Sequence, residues 1–270
     1  MSRRFAGIRR KTEFSPNHVE NDLRIINMTA DALRKRGGQV AIHDEGDLNA
    51  NSVNADVIFS MAQGPRGINT LKTVERRGTL ILNSPIAVEN CYRTNMVRLL
   101  PATHIPFPKS VIVETADGAN GVPPIESRKL WIKRGDVHAI HKEDVALAYT
   151  EEEKLTIIRE FHYRGIDHAV LQEHIEGDTV KFYAIRESTF FHWYYLNGAN
   201  RTRFDTAHLR FLANASAEIL GLYIYGGDAI IGQNGALTII DINDWPSFAV
   251  VREQASEEIA NLIFRKAMEI

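Results

Sequence analysis

The sequence has very little cysteine, no long apolar run and no strong excess of either charge. Cys91 is the only cysteine among 270 residues, which excludes an intramolecular disulfide and favours a cytoplasmic setting. No apolar stretch approaches the ~20 residues that a transmembrane helix needs. The formal net charge of −2 provides no general basic field for binding nucleic acid. We therefore expect a soluble cytoplasmic protein that binds neither a membrane nor nucleic acid.

Strands and helices alternate over the first 83 residues. This alternation predicts a parallel sheet with crossover helices. Ser15 is expected to cap the first helix, and Pro16 suits its first turn. The strands are expected at residues 4–9, 39–43, 56–61 and 79–83, and the second helix at 67–78. A single helix is expected next, over 84–100, and the prolines of 105–113 favour an extended segment.

The rest of the chain has longer runs of strands around few helices, which indicates an antiparallel α+β unit. A hairpin is expected from residues 128–134 and 137–142. Further strands are expected at 169–175, 179–186, 189–196, 223–232 and 235–242, and helices at 151–165, 206–222 and 252–268.

The apolar run LTIIDINDWPSF at 237–248 is interrupted by two acids and an amide, Asp241, Asn243 and Asp244. Asp241 and Asn243 share one face of the expected strand, because successive strand side chains point to opposite faces. If the hairpin folds at 233–235, Asp228 lies beside them. Three oxygen ligands on adjacent strands suit a hard cation such as Mg²⁺. Capping of the strand end or of a nearby turn is the alternative for Asp241 and Asn243.

The stretch GGDAIIGQNGALTIIDIN, which carries these ligands, resembles the metal-binding hairpin of the ATP-grasp superfamily. Lys133 in WIKR resembles the strand lysine that contacts the nucleotide phosphates. VLQEHIEG resembles the hinge that reads adenine, through backbone groups of Glu173 and Ile175. NSPIAVENCYRTNMVRLL resembles the bridge helix of these enzymes.

The resemblance implies an ATP-grasp fold of α/β plus α+β type with three parts. Residues 1–83 would form an N-terminal pre-ATP-grasp α/β domain, and residues 84–114 the bridge helix and entry strand. Residues 115–270 would form the ATP-grasp domain, with a small lobe at about 115–176 and a large lobe at about 177–270. ATP would bind between the lobes with two Mg²⁺ ions, or with Mn²⁺ in their place.

The site expected from the resemblance and from the basic residues has three groups of side chains. The metal ligands would be Asp228, Asp241 and Asn243. The nucleotide contacts would come from Arg93, Lys133, Lys142, Gln172, Glu173, His174, Ile175 and Asp178. The candidates for catalysis are Lys181, Arg201 and Arg203, because a basic side chain can stabilise a transferring phosphate or acyl-phosphate. A solvated surface position is the alternative for Lys142, Arg201 and Arg203.

The loop RGDVHAIHK after Lys133 departs from the family, where this loop is usually glycine-rich. The first functional hypothesis is a carboxylate–amine ligase that forms an amide or peptide bond through an acyl-phosphate, with release of ADP. It would act on a small-molecule or peptide acceptor and is similar to ribosomal-protein glutamate ligases and glutathione synthases. The resemblance leaves the acceptor and the oligomeric state open.

Two alternatives to the ligase stay open at the level of sequence. The first is a kinase acting on an inositol phosphate, because residues 241–247 are close to the D-I-N-x-F-P-G hairpin end of such kinases. Arg93 and Met96 also match their Arg-x-x-Met. A cluster of Lys and Arg opposite the metal hairpin would favour the kinase, and a mixed pocket would favour the ligase. The second alternative is an ATP-binding module without catalysis, which the altered loop after Lys133 motivates.

Overall fold

The structure is a computed structural model that describes residues 3–15, 18–118, 129–137, 139–197 and 201–270. Within these residues the strands form three four-stranded sheets. Pro16 and His138 lie outside the described residues. None of the helices in the described segments has the length and apolar character needed to cross a bilayer.

The first sheet is parallel throughout, with the strand order β2-β1-β3-β4. Its strands are β1 (Arg4–Arg9), β2 (Gln39–Asp44), β3 (Val57–Ser60) and β4 (Leu80–Leu82), and its crossover helices are α1 (Val19–Lys35) and α2 (Pro65–Glu75). The alternating pattern predicted this arrangement correctly. The expected helix cap was wrong: α1 begins after His18, and the Ser15 hydroxyl instead donates to Asp22 Oδ2 at 2.7 Å.

Two short helices replace the single helix expected over residues 84–100. They are α3 (Pro85–Asn90) and α4 (Arg93–Leu99). Tyr92 between them has an extended backbone, with φ −62° and ψ 136°. Its hydroxyl donates to the Gln63 carbonyl at 2.9 Å, so the break contacts the segment that follows β3. The break starts α4 at Arg93 and directs its first turn toward Gly135, whose carbonyl accepts from the Thr94 N–H at 3.1 Å.

The second sheet is antiparallel and has the order β5-β8-β6-β7. Its elements are β5 (Ser110–Glu114), β6 (Leu130–Arg134), β7 (Val145–Ala148), β8 (His168–Glu173) and the covering helix α5 (Glu151–Tyr163). The expected hairpin partner of β6 at 137–142 was wrong, because β6 pairs with β7. In the described part of the connection between β6 and β7, buried Asp144 accepts hydrogen bonds from the Ile140 and His141 N–H groups.

The third sheet is also antiparallel and has the order β10-β9-β11-β12. Its strands are β9 (Asp178–Ile185), β10 (Phe191–Asn197), β11 (Ile224–Ile231) and β12 (Leu237–Asp244). Helix α6 (Thr206–Leu220) covers one face through an apolar cluster that includes Phe182 and Leu209. Helix α7 (Arg252–Met268) packs with α1 and the first sheet. The other face of the third sheet carries Lys181 and borders a cavity.

Candidate nucleotide and metal site

A cavity of about 310 Å³ lies between the second and third sheets. Strand β6 and the end of β8 form one wall, strands β9, β11 and β12 form the opposite wall, and α4 contributes Arg93. The cavity lining includes the following charged, polar and aromatic residues: Arg93, Trp131, Lys133, Gln172, Glu173, His174, Glu176, Asp228 and Asp241. A cleft of this kind between two sheets is a default position for a ligand.

A row of polar side chains crosses the third sheet at the cavity. Tyr194, Lys181, Asp228 and Asp241 are successive cross-strand partners on β10, β9, β11 and β12. Direct partners in an antiparallel sheet have their side chains on one face, about 5 Å apart. The structure therefore brings Asp228 and Asp241 together, as the hairpin pattern predicts, and adds Lys181 to them.

Lys181 is the immediate cation of this row, because its Nζ lies 2.8 Å from Asp228 Oδ1 and 3.1 Å from Oδ2. The contact with Oδ1 is an ion pair without hydrogen-bond geometry, so this buried oxygen has no hydrogen bond among the described residues. Burial raises the pKa of Asp228 against the opposing effect of Lys181, and the nearby Asp241 raises it further. A buried carboxylate oxygen in this state is suited to a cation.

Asn243 follows two residues after Asp241 and therefore lies on the same face of β12. Its partner on β11 is Gly226. The chain is tightly packed here, since a Cβ at Gly227 would lie 2.4 Å from the Asp241 carbonyl oxygen. No group of three His, Cys, Asp or Glu side chains that suits a metal occurs in the described segments. The set here is two carboxylates and one amide, and these oxygen donors fit Mg²⁺.

Two buried cations complete the charge distribution around Asp241. Arg93 Nη2 lies 4.0 Å from Asp241 Oδ2, and Lys133 Nζ donates to Gln172 Oε1 at 2.7 Å. Arg93 Nε and Nη1 are buried and have no hydrogen-bond partner within the described residues. Burial lowers the pKa of Lys133 to about 8, with Asp241 opposing this shift and Arg93 adding to it. Buried donors of this kind require an anion for compensation, and a phosphate would provide it.

The hinge residues expected to bind the nucleotide also line the cavity: Gln172, Glu173, His174 and Ile175. Gln172 is fixed between Lys133 and Ser110, because its Nε2 donates to the Ser110 hydroxyl at 3.1 Å. The Glu173 side chain turns toward β5, where its Oε1 accepts from the Lys109 N–H at 2.9 Å.

Four of the predicted basic and acidic residues lie away from the carboxylates. Lys142 is exposed in the loop after β6. Asp178 is buried and accepts from the Thr202 N–H at 2.7 Å. Asp178 pairs with Ile231, three register positions from the Lys181–Asp228 pair, which corresponds to about 10 Å along the strand. Exposed Arg201 and Arg203 flank Thr202, so the structure does not bring them to the carboxylates.

Sequence reasoning missed three aromatic residues beside Lys181. Tyr183 follows Lys181 on the same face of β9, and its cross-strand partner is His192. The hydroxyls of Tyr183 and Tyr194 are 3.3 Å apart. The two-residue alternation along β9 and β10 shows which side chains share a face of each strand. It does not show which of them lie beside Lys181, because that depends on the register between the strands.

Arg10 is a further residue that sequence reasoning missed. Its Nη1 pairs with Asp22 at 2.8 Å, its Nε donates to the Met61 carbonyl at 3.1 Å, and its Nη2 donates to the Trp245 carbonyl at 3.0 Å. Gln63 Nε2 also donates to Asp244 Oδ1 at 3.0 Å. These contacts tie the end of β12, which carries Asn243, to the first sheet.

Comparison with known proteins shows the fold. No protein-family model matches the sequence, and no curated protein is significantly similar to it. The RimK domain ATP-grasp protein of Sphaerobacter thermophilus matches with a TM-score of 0.73 at 16% identity, over 97% of this chain and 99% of that chain. The D-alanine–D-alanine ligase of Bacillus anthracis, solved in complex with ATP, matches with a TM-score of 0.74 at 12% identity. The match covers 99% of this chain and 98% of the ligase. The VanG D-Ala:D-Ser ligase of Enterococcus faecalis matches with a TM-score of 0.76 at 12% identity, over 99% of this chain and 100% of that chain.

These structural similarities extend over almost the whole of each chain, and at such low sequence identity they show the fold alone. The chain has the ATP-grasp fold, and the expectation of this fold is confirmed.

Proposed function

We propose that this chain, whose fold is ATP-grasp, is a Mg-ATP-dependent ligase that joins a carboxylate to an amine through an acyl-phosphate. The observation that carries the proposal is that Lys133, Arg93 and the cross-strand pair Asp228–Asp241 line one cavity, with Arg93 Nη2 4.0 Å from Asp241 Oδ2. The solved structures of similar fold include ligases, one of them complexed with ATP, and this supports the same reaction class.

The cavity gives each part of the nucleotide a suitable environment. The base would lie against the hinge that follows β8, and the phosphates would lie over the carboxylates, within reach of Lys133 and Arg93. Mg²⁺ held by Asp228, Asp241 and Asn243 would neutralise charge on the phosphate oxygens. Lys181 keeps Asp228 in place through their ion pair.

The proposed reaction has two steps. An oxygen of the acceptor carboxylate attacks the γ-phosphorus, the bond to the β–γ bridging oxygen breaks, and ADP leaves with that electron pair. The amine nitrogen then attacks the acyl carbon, the C–O bond to phosphate breaks, and the nitrogen loses a proton. Lys133 and Arg93 stabilise the negative charge that develops on the transferring group, and such preorganised charge is the main catalytic contribution expected in phosphoryl transfer.

The sheet face beside the carboxylates favours the ligase over the kinase. Beyond Lys181 this face carries Tyr183, Tyr194 and His192, and Lys181 is already paired with Asp228. Arg10 lies nearby, but Asp22 and the carbonyls of Met61 and Trp245 already accept its hydrogen bonds. A polyphosphorylated acceptor would need several unpaired cations, whereas an amine or amino-acid substrate is compatible with hydroxyl and aromatic groups.

A thermal-shift titration with ATP and Mg²⁺ tests the nucleotide site first. Ligand at 100 times its dissociation constant stabilises the native state by about 2.7 kcal/mol. We expect this Mg²⁺-dependent shift in the wild type and its loss in Asp241→Asn, while Asp47→Asn at an exposed position keeps it. Absence of a shift in the wild type at millimolar ATP would refute the proposal.

A product analysis then separates the reaction classes. Release of ADP and phosphate that requires both a carboxylate and an amine, with formation of an amide, is the expected result. A stable phosphorylated product formed from an inositol phosphate without an amine would identify a kinase. ATP binding without turnover of any acceptor tested would identify a binding module.

A further inference from the structure

Trp131 and His174 form a hydrogen-bonded pair in the cavity wall. Trp131 Nε1 donates to His174 Nδ1 at 3.0 Å, and the two rings are tilted by 45° with their centroids 6.0 Å apart. Trp131 precedes Lys133 by two residues on β6, so both side chains face the cavity. The indole is thus part of the surface against which a nucleotide in this cavity would lie.

The hydrogen bond defines the protonation state of His174. An indole N–H can only donate, so Nδ1 must present a lone pair, and the proton of the neutral imidazole lies on Nε2. Nε2 lies 3.3 Å from Glu176 Oε1, which also receives Lys129 Nζ at 2.6 Å. The Lys129 and His174 side chains lower the pKa of Glu176, so this acceptor is a carboxylate near neutral pH.

Protonation of His174 would remove the indole contact. The imidazolium has an N–H at both nitrogens, so Nδ1 and Trp131 Nε1 would become two donors facing each other. The charged groups at this end of the cavity are Glu176, which contacts His174, and Lys129, which pairs with Glu176. The Glu173 carboxylate turns away to the Lys109 N–H. Because Trp131 would lose its partner, its ring would no longer be fixed against the cavity.

We propose that His174 is a positioning residue of the nucleotide site: its neutral form holds Trp131 in place for the nucleotide, and its protonation weakens nucleotide binding. This inference rests on the proposed function, because it requires the nucleotide to occupy the cavity. It adds a mechanism by which a proton taken up by the His174 imidazole changes the affinity for the nucleotide.

The test measures the dissociation constant of ATP at saturating Mg²⁺ by calorimetry between pH 7.5 and 5.5. In the wild type we expect affinity to fall by roughly three- to tenfold over this range, less than the tenfold per pH unit that one linked proton allows. His174→Gln supplies a carbonyl acceptor that does not titrate, so it should bind ATP more tightly than His174→Leu at pH 7.5 and lose the additional pH dependence. His174→Leu lacks the acceptor and should bind roughly two- to tenfold more weakly at both pH values.

The exposed His162 on α5 provides the matched control, and His162→Gln should behave as the wild type. Titration of the ATP phosphates contributes equally to every variant, so the difference between variants reports His174. If His174→Gln keeps the pH dependence of the wild type, the inference is overturned while the ATP site stands. If the wild type binds no ATP at any pH, the proposed function itself fails.

Discussion

If a nucleotide phosphate binds in the cavity as proposed, the protonation of Lys133 should depend on it. Burial lowers its pKa to about 8 in the free protein, whereas an unfolded lysine titrates at about 10.4. A bound phosphate favours the ammonium form and raises this pKa again. Nucleotide binding should therefore be accompanied by proton uptake above pH 8, where the free protein has lost the proton.

We predict that the affinity for Mg-ATP falls above pH 8 and approaches a tenfold loss per pH unit. Calorimetry in two buffers of different ionisation enthalpy should detect the proton taken up. Lys133→Arg keeps the charge over this range and should remove the pH dependence, although its bulkier head weakens binding. Equal slopes for the wild type and Lys133→Arg would contradict this assignment.

The carboxylates were easier to predict from the sequence than the residues that support them. Asp241 and Asn243 interrupt an apolar strand two residues apart, and this local pattern is visible without a structure. Arg10 lies more than two hundred residues from Trp245 in the chain, yet it donates to the Trp245 carbonyl. No local pattern predicts a contact of that kind, because it depends on how the sheets meet.

Among the elements, the loop between β6 and β7 shows why one strand was misassigned. Its residues VHAIH have strand-like composition, which led to the expected hairpin. Asp144 instead accepts hydrogen bonds from the Ile140 and His141 N–H groups and from the guanidinium of Arg134. Arg164, at the end of α5, is a further donor to Asp144. A partner twenty positions along the chain thus overrides the local preference of the loop.

We predict that Asp144→Asn destabilises the protein by about 3 kcal/mol at pH 7, because it leaves two guanidinium groups without their buried carboxylate. Burial alone would raise the pKa of Asp144, but its backbone and arginine hydrogen bonds outweigh burial and lower it to about 2. A depressed carboxyl pKa contributes stability above the unfolded value near 4, and this contribution is lost as pH falls toward 2. The difference between the two proteins should therefore shrink over that window in urea denaturation.

Asp136→Asn is the control for this element, because Asp136 also pairs with Arg134 but is exposed. An exposed pair contributes less than about 1 kcal/mol. A larger loss of stability in Asp136→Asn than in Asp144→Asn would show that the buried carboxylate is not the centre of the loop.

At the scale of the whole molecule, the first sheet and the third sheet meet at Arg10. Both Arg10 and Asp22 have side chains less than one tenth exposed, at 9% and 6%. Their ion pair is joined by the Ser15 hydroxyl and by two backbone carbonyls, one of them in the segment after β12. Loss of the guanidinium would leave the Asp22 carboxylate with the Ser15 hydroxyl but without its cation, and would remove the Arg10 donors from two buried carbonyls. The same change would free the segment that follows Asn243.

We predict that Arg10→Met lowers the free energy of unfolding by about 3–5 kcal/mol, as measured by chemical denaturation. Asp22→Leu together with Arg10→Met should cost less than the sum of the single changes, because the double variant leaves no unpaired buried charge, and coupling of about 1–3 kcal/mol is expected. Arg4→Met provides the comparison, since the Arg4–Asp56 pair is more exposed and should contribute less than about 1 kcal/mol. Additive effects of Arg10→Met and Asp22→Leu would mean that the two side chains stabilise their own elements separately and that the sheets are joined elsewhere.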